Sequence, residues 1–407
     1  MFESLETLPL EEVSLRHEKC RAALAGIAPD AGGLLIFSRL HIYYLTGTWA
    51  AGAFWLPVSG KPVLLCRKGV ERARLESPLE EIHPFRSFGD LPGLLTGAGS
   101  PLPEVAAVEM NGLTWSMGNL LASRVKGVSF VPGDMALSLA MAKKSEWELA
   151  KMRLCGARHH QALHKDLPGM IRPGMNEREV SHRAWEAFFA LGHQGQMRMG
   201  APGEEIFLGH VAAGDSGNYP SVFNGPVGLR GEHPALPFMG YAGKVWKKGD
   251  VLTCDIGFTL EGYCTDKTQV YFAGPESRLP DAVRAGHDFC MRAQARLAEG
   301  LKPGVAPSAL YAEIMDMASN EGVNEGFMGL DGNKVFFLGH GIGLAIDGYP
   351  VIAKGFDAPL EAGMVLALEP KMGIPGVGMV GVENTFEVTE SGGKCLTGDA
   401  YGIVCVG

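Results

Sequence analysis

The sequence predicts an α/β domain over residues 1–142 followed by an α+β domain over residues 143–407, and three observations carry that reading. Helix-like and strand-like segments alternate in the first part. A short motif and the helix behind it recur in the second part at a constant offset. The whole chain, at 407 residues, exceeds the size at which a single core usually stops growing, so two domains are expected.

Residues 11–26 suit an amphipathic helix, and GGLLIFS, AGAFWLPV, KPVLLCR and VAAVEM are short apolar runs of the kind that become buried strands. That alternation ends near residue 140, where Ser145 and Glu148 form a capping box. The helix it opens keeps Leu149, Met152, Gly156 and Leu163 at helical spacing. Farther on, IRPGM at 171–175 recurs as LKPGV at 301–305. The following helices align at the same offset, Val180 with Leu310, Ala184 with Ile314 and Gly192 with Gly322. Each half then delivers a strand pair bearing two acids: Asp255 and Asp266 in the first, Glu369 and Glu383 in the second.

Alternation along the strands gives those acids a direction, because side chains i, i+2 and i+4 share a face. In 251–258, Leu252, Cys254, Ile256 and Phe258 form the apolar face and Asp255 lies opposite, with Thr253 and Gly257. In the run 378–388, Val380, Val382, Phe386 and Val388 take one side, Glu383 and Thr385 the other. Two such halves facing each other bring four carboxylates to one centre, together with His340 of GHGIG. Carboxylates crowded in a dry pocket repel one another unless cations lie between them, so the pattern predicts a site for two metals.

Composition narrows the partners. A formal net charge of -9, with no basic stripe or polycationic tail, argues against a nucleic acid or an anionic membrane as partner. No uninterrupted apolar stretch reaches membrane-spanning length, and the acidic start MFESLETLPLEEVSL lacks the pattern of a secretory signal. Eight cysteines without a C-x-x-C pair suit reduced thiols, and hence the cytoplasm.

Asp255, Asp266, His340, Glu369 and Glu383, with Pro370 and Thr385, resemble the ligand set of the pita-bread metallopeptidases, the group of methionine aminopeptidase, aminopeptidase P and prolidase, with creatinase as a metal-free relative. Residues 16–90 resemble the creatinase-type N-terminal domain that accompanies aminopeptidase P and prolidase, so the likeness is to the proline-directed branch. It implies a creatinase-like α/β domain followed by an α+β pita-bread domain, and a homodimer. It further implies two divalent metal ions, manganese before cobalt, zinc or iron: Asp255 on the first, His340 and Glu369 on the second, Asp266 and Glu383 bridging. Glu369 would shuttle the proton. The implied activity is hydrolysis of a peptide bond near a free N-terminus, as an Xaa-Pro aminopeptidase or dipeptidase.

The chain departs from that pattern around the ligands. Where the peptidases carry a second histidine seven residues after the ligand histidine, HGIGLAIDGYP has Asp347, then Gly348. An aspartate there accepts a hydrogen bond from a substrate amine but, when ionised, donates none to a carbonyl. Gly381 stands in the place of a common arginine. For the histidine usually found upstream of the first aspartate the candidates are His233 and His210. These departures keep two alternatives open, a hydrolase or lyase of a small metabolite and a silent binding protein.

The long segment 214–240, with Tyr219, Phe223 and Phe238, is expected to border the substrate cleft. GVGMVG at 376–381 precedes a strand and is not expected to bind a nucleotide. His159, His160 and His164 are expected on a solvated helix face.

Overall fold

The structure, a computed structural model, describes residues 3–200 and 205–407. After Met141 the chain divides into two compact units.

The first unit is built on one six-stranded sheet. Its strands are β1 (Gly33–Ile36), β2 (Ala51–Pro57), β3 (Val63–Lys68), β4 (Ile82–Pro84), β5 (Val105–Val108) and β6 (Ser129–Pro132), in the order β4-β3-β2-β1-β5-β6. β1, β2 and β3 pair antiparallel, and β4, β5 and β6 add in parallel at the flanks. The four apolar runs of the sequence are β1, β2, β3 and β5. β4 and β6 are short edge strands ending in proline, too brief to show in the pattern. Leu35, Ala53, Trp55, Leu65 and Val108 meet Phe85, Leu91 and Leu95 in the core. The helix expected at 11–26 spans Leu10–Ile27, but its buried face is not purely apolar. Arg16 is fully buried there, donating to Glu12 Oε1 at 2.6 Å and to the Tyr44 carbonyl at 2.8 Å.

The second unit contains thirteen strands among its described residues. In chain order they are β7 (Gln196–Arg198), β8 (Glu205–Phe207), β9 (Gly209–Ala213), β10 (Val251–Leu260), β11 (Tyr263–Ala273), β12 (Phe337–Gly341), β13 (Gly348–Ala353), β14 (Val365–Leu368), β15 (Lys371–Ile374), β16 (Gly378–Gly381), β17 (Asn384–Thr389), β18 (Gly392–Cys395) and β19 (Val404–Val406). Two sheets dominate, β19-β11-β10-β9 and β13-β12-β14-β17-β18. They join where Thr268 N donates to the Glu383 carbonyl at 3.1 Å.

Each half of the sequence repeat supplies two helices and the strands of one of these sheets, except that β19, after the second half, adds to the first sheet beside β11. Helices Glu146–His160 and Glu177–Ala190 cover β9–β11, burying Leu252, Cys254, Ile256 and Phe258. Helices Asp281–Gly300 and Pro307–Asn320 cover the other sheet, burying Val380, Val382, Phe386 and Val388. The apolar faces read from alternation are therefore the faces that pack on helices, which leaves Asp255 and Glu383 on the opposite sides. The capping box forms as well: Ser145 Oγ accepts from Glu148 N, and Ser145 N donates to Glu148 Oε2 at 3.0 Å.

Two expectations need correction. The run 378–388 is not one strand: β16 and β17 are separated by Val382 and Glu383, after Gly381 takes φ +128°. The histidines at 159, 160 and 164 do not form a solvated face. His159 is fully buried, its Nδ1 is 3.0 Å from Thr265 Oγ1, and its ring packs on Phe188 and Phe258, because β10 and β11 cover that side of the helix.

Candidate metal centre

Asp255 sits in the middle of β10 and Asp266 on β11, where the antiparallel register sets Asp255 opposite Thr268 and Gly257 opposite Asp266. His340 lies on β12, opposite Ala367 of β14. Glu369 directly follows β14 and is fixed by its backbone N–H, which donates to the Leu338 carbonyl at 3.0 Å. Glu383 directly precedes β17, and next along that strand Thr385 Oγ1 accepts from Asp266 N at 2.9 Å. The break between β16 and β17 turns Glu383 toward β11 at the point where the two sheets meet.

All five donors line one cavity of about 310 Å³. Ligand atoms of Asp266, His340 and Glu383 lie within 4.8 Å of one another. His340 Nε2 is 3.6 Å from Glu369 Oε1 and 3.8 Å from Glu383 Oε1. Its Nδ1 is 3.2 Å from the Gly341 carbonyl oxygen, a contact that calls for the proton on Nδ1 and leaves the Nε2 lone pair turned toward the carboxylates. Lone pairs that face one another in a buried pocket require a proton or a cation between them.

One cation is already built in. Lys371, at the start of β15 and fully buried, places Nζ 2.6 Å from Glu383 Oε2, 3.3 Å from Glu369 Oε2 and 3.5 Å from Asp255 Oδ2. Burial alone would lower its pKa, yet the three carboxylates hold it well above the usual lysine value. Burial would likewise raise Asp255, but Lys371, with hydrogen bonds that include one from Thr268 Oγ1 at 2.6 Å, holds it down at about 2. Asp266 is less well supported: Lys267 N donates to its Oδ1 at 2.9 Å, but burial and the charge of Asp255 outweigh this and push it up to about 7. Burial also raises Glu369, and burial with Asp266 raises Glu383 well above the carboxylate range. Four carboxylates facing one ammonium thus retain excess negative charge. An oxygen-rich set completed by one imidazole suits a divalent cation at Asp266, His340 and Glu383.

Sequence reasoning missed Lys371, although the signal was present: residues 369 and 371 are two apart, the spacing at which neighbouring side chains of an extended chain share a face. Thr268 escaped in the same way, two residues after Asp266.

The other candidates separate clearly. Asp347 lines the cavity, and its carboxylate accepts a hydrogen bond from Gly200 N. His233 does not line it. His233 is exposed at a turn of the long loop, its Nδ1 accepting from Ala235 N at 3.1 Å. The histidine that faces the cavity is His210, because β9 pairs with β10 in a register that sets it opposite Asp255. His210 is buried and held below its usual pKa by that burial, and its Nδ1 has no hydrogen-bond partner among the described residues. From the long segment, Phe223 reaches the cavity and Phe238 packs against it with ring centres 5.4 Å apart, whereas Tyr219 is outside. Gly257 keeps the wall close: a Cβ there would meet Met197 Sδ at 2.3 Å.

Comparisons with known proteins give the family. The model of metallopeptidase family M24 matches residues 150–390, and that of the creatinase/prolidase N-terminal domain matches residues 16–138. The chain belongs to metallopeptidase family M24. Over 405 residues this M24 enzyme is 29% identical to the Mycobacterium tuberculosis protein named probable dipeptidase PepE, covering 95% of this chain and 96% of that one. It is 30% identical to the Xaa-Pro dipeptidase of Pyrococcus furiosus over 167 residues, 41% of this chain and 45% of the relative. The solved Xaa-Pro dipeptidase from Bacillus anthracis superposes with a TM-score of 0.77 over 97% of this chain and 99% of its own, at 23% identity, which shows a shared fold. The creatinase-like unit followed by a pita-bread unit, expected from the sequence, is the architecture of this M24 metallopeptidase.

Proposed function

We propose that this metallopeptidase hydrolyses short Xaa-Pro substrates, dipeptides in preference to longer peptides, with a divalent cation held by Asp266, His340 and Glu383. The observation that carries this reading is the convergence of those three donors in a cavity of about 310 Å³, small among ligand sites. The dipeptidase names of the relatives support the choice of substrate.

A divalent cation at such a site makes a water nucleophilic near neutral pH and draws charge from the scissile carbonyl. The rest falls to side chains. Glu369, facing the cavity with Oε1 free of the lysine, takes the proton released when water attacks the carbonyl carbon and passes it to the leaving proline nitrogen as the C–N bond breaks. Asp347 accepts a hydrogen bond from the substrate's free ammonium. His210, held toward its neutral form by burial, lines the cavity opposite Asp255, in the place expected of an upstream histidine. Met197, Leu208, Phe223, Phe337 and Ile346 give an apolar wall for the pyrrolidine ring and the first side chain.

Manganese is our choice of metal, on the excess of oxygen donors over nitrogen. A cytoplasmic setting is supported by eight cysteines that are all free. Among the described residues no helix is long and apolar enough to cross a membrane. Homodimerisation follows from the resemblance and is open to light scattering. The test of function is a panel of Xaa-Pro dipeptides and tripeptides assayed after manganese loading. Turnover of dipeptides is expected; cleavage of tripeptides alone would make it an aminopeptidase. Cleavage of neither would transfer the case to a small-metabolite hydrolase or lyase, which the acidic Asp347 would then favour.

A further inference from the structure

We propose that the Lys371 ammonium replaces one of the two metal ions that the four-carboxylate pattern implies, so that the centre takes a single divalent cation, on the Asp266–His340–Glu383 side. The inference rests on the metal-centre reading above and deepens it.

The two glutamates show the division of labour. Glu383 turns Oε2 to Lys371 Nζ at 2.6 Å and Oε1 toward His340 Nε2 at 3.8 Å. Glu369 does the same, with Oε2 at 3.3 Å from the ammonium and Oε1 at 3.6 Å from the imidazole. Each carboxylate thus spans two positions, as a bridging ligand would, but a covalently tethered charge fills one of them. An ammonium has three N–H donors, and three carboxylates lie within 3.5 Å of it: Asp255, Glu369 and Glu383.

A second ion would have to compete with Nζ for its ligands. Glu383 Oε2, Glu369 Oε2 and Asp255 Oδ2, the oxygens that would bind it, already face the ammonium at 2.6, 3.3 and 3.5 Å. The lysine has no ready way out, because its side chain is fully buried and its backbone is pinned. Residue 371 pairs with Gly381, its carbonyl accepts from Met328 N at 2.9 Å, and a Cβ at 381 would lie 2.7 Å from Lys371 Cα. Gly381, the position at which the sequence lacks the arginine of related peptidases, pairs with Lys371 in one hairpin.

Charge gives the same count. Four carboxylates and one ammonium leave three formal negative charges, which one divalent ion reduces to one. A second divalent ion would make the centre's side chains and ions net positive in a buried setting.

Elemental analysis of the full-length protein, loaded with manganese and desalted, tests this, together with its electron paramagnetic resonance spectrum. One ion per chain with the six-line signal of an isolated Mn(II) is expected. Two ions with an exchange-coupled signal, or none, would overturn the proposal. In Lys371→Ala the freed position should take a second ion and the coupled signal should appear, whereas Lys371→Arg should stay at one. A folded Lys371→Ala that still holds one ion would also overturn it. If Lys371→Ala does not fold, the wild-type count decides alone. Two ions together with Xaa-Pro hydrolysis would remove this inference and leave the function standing. One ion without peptide hydrolysis would do the reverse.

Discussion

Asp266 and Asp347 line the same cavity 81 positions apart in the chain, but their surroundings assign them different work. Asp266 is surrounded by three other carboxylates and is held protonatable near pH 7 by burial and Asp255. Asp347 is partly exposed at the rim and already accepts a backbone hydrogen bond from Gly200. Asp266→Ala should therefore lose bound metal and lower kcat/KM by about 100-fold or more. Asp347→Ala should keep its metal and raise KM, a split read by elemental analysis beside steady-state kinetics. Equal metal loss in both would refute the assignment. The five donors were legible because each stands at a definite step of a strand-like pattern with glycines around it. Lys371 was legible in principle by its two-residue step from Glu369. The choice between His210 and His233 was not, since it depends on how β9 registers against β10 and where the following loop turns, and both are long-range outcomes.

At the scale of elements, the β15–β16 hairpin is the feature on which the site's geometry depends. Gly381 adopts φ +128°, and a Cβ there would lie 2.5 Å from the Pro370 carbonyl oxygen. Gly381→Ala should cost about 2 kcal/mol or more in urea unfolding, from backbone strain and that clash together. It should also shift Lys371 and weaken metal binding; an unchanged midpoint and unchanged metal affinity would contradict the packing described. The capping box at Ser145 is a simpler case: Ser145→Ala should lower stability by about 1 kcal/mol with little change in kcat/KM. Local chemistry of that kind reads directly from sequence, as did the helix it opens. The break between β16 and β17 did not, because alternation continues across Val382 and Glu383 and only a glycine in an uncommon conformation marks the turn.

On the scale of the whole molecule, the two units respond to acid through buried histidines. In the first unit burial holds His17 at about pKa 4, its Nε2 bonded to the Leu45 carbonyl at 2.7 Å. The unfolded chain, with a pKa near 6.5, takes up that proton first. Stability is therefore fully present above about pH 6.5 and declines as pH falls toward 4, by about 3 kcal/mol for this residue. Denaturant melts between pH 7 and 4 should show the decline, and His17→Gln should flatten it; an equally steep slope in the variant would assign the effect elsewhere. In the second unit His193 is also held down to about 4 by burial, so the catalytic unit should lose stability over the same range. The division into two units was legible from length and from the change of pattern near residue 140. The meeting of the two repeat halves around one cavity was legible only as an inference from the parallel placement of the acids.

The central claim is that this cavity hydrolyses a prolyl peptide bond with the help of a divalent cation. Hydrolysis of an Xaa-Pro dipeptide by the wild-type enzyme, followed before chelation, after exhaustive chelation and after manganese is restored, tests it most directly. The account expects activity to vanish on chelation and return with the ion; turnover that persists in the chelated protein, or that never appears in the reloaded one, would contradict it.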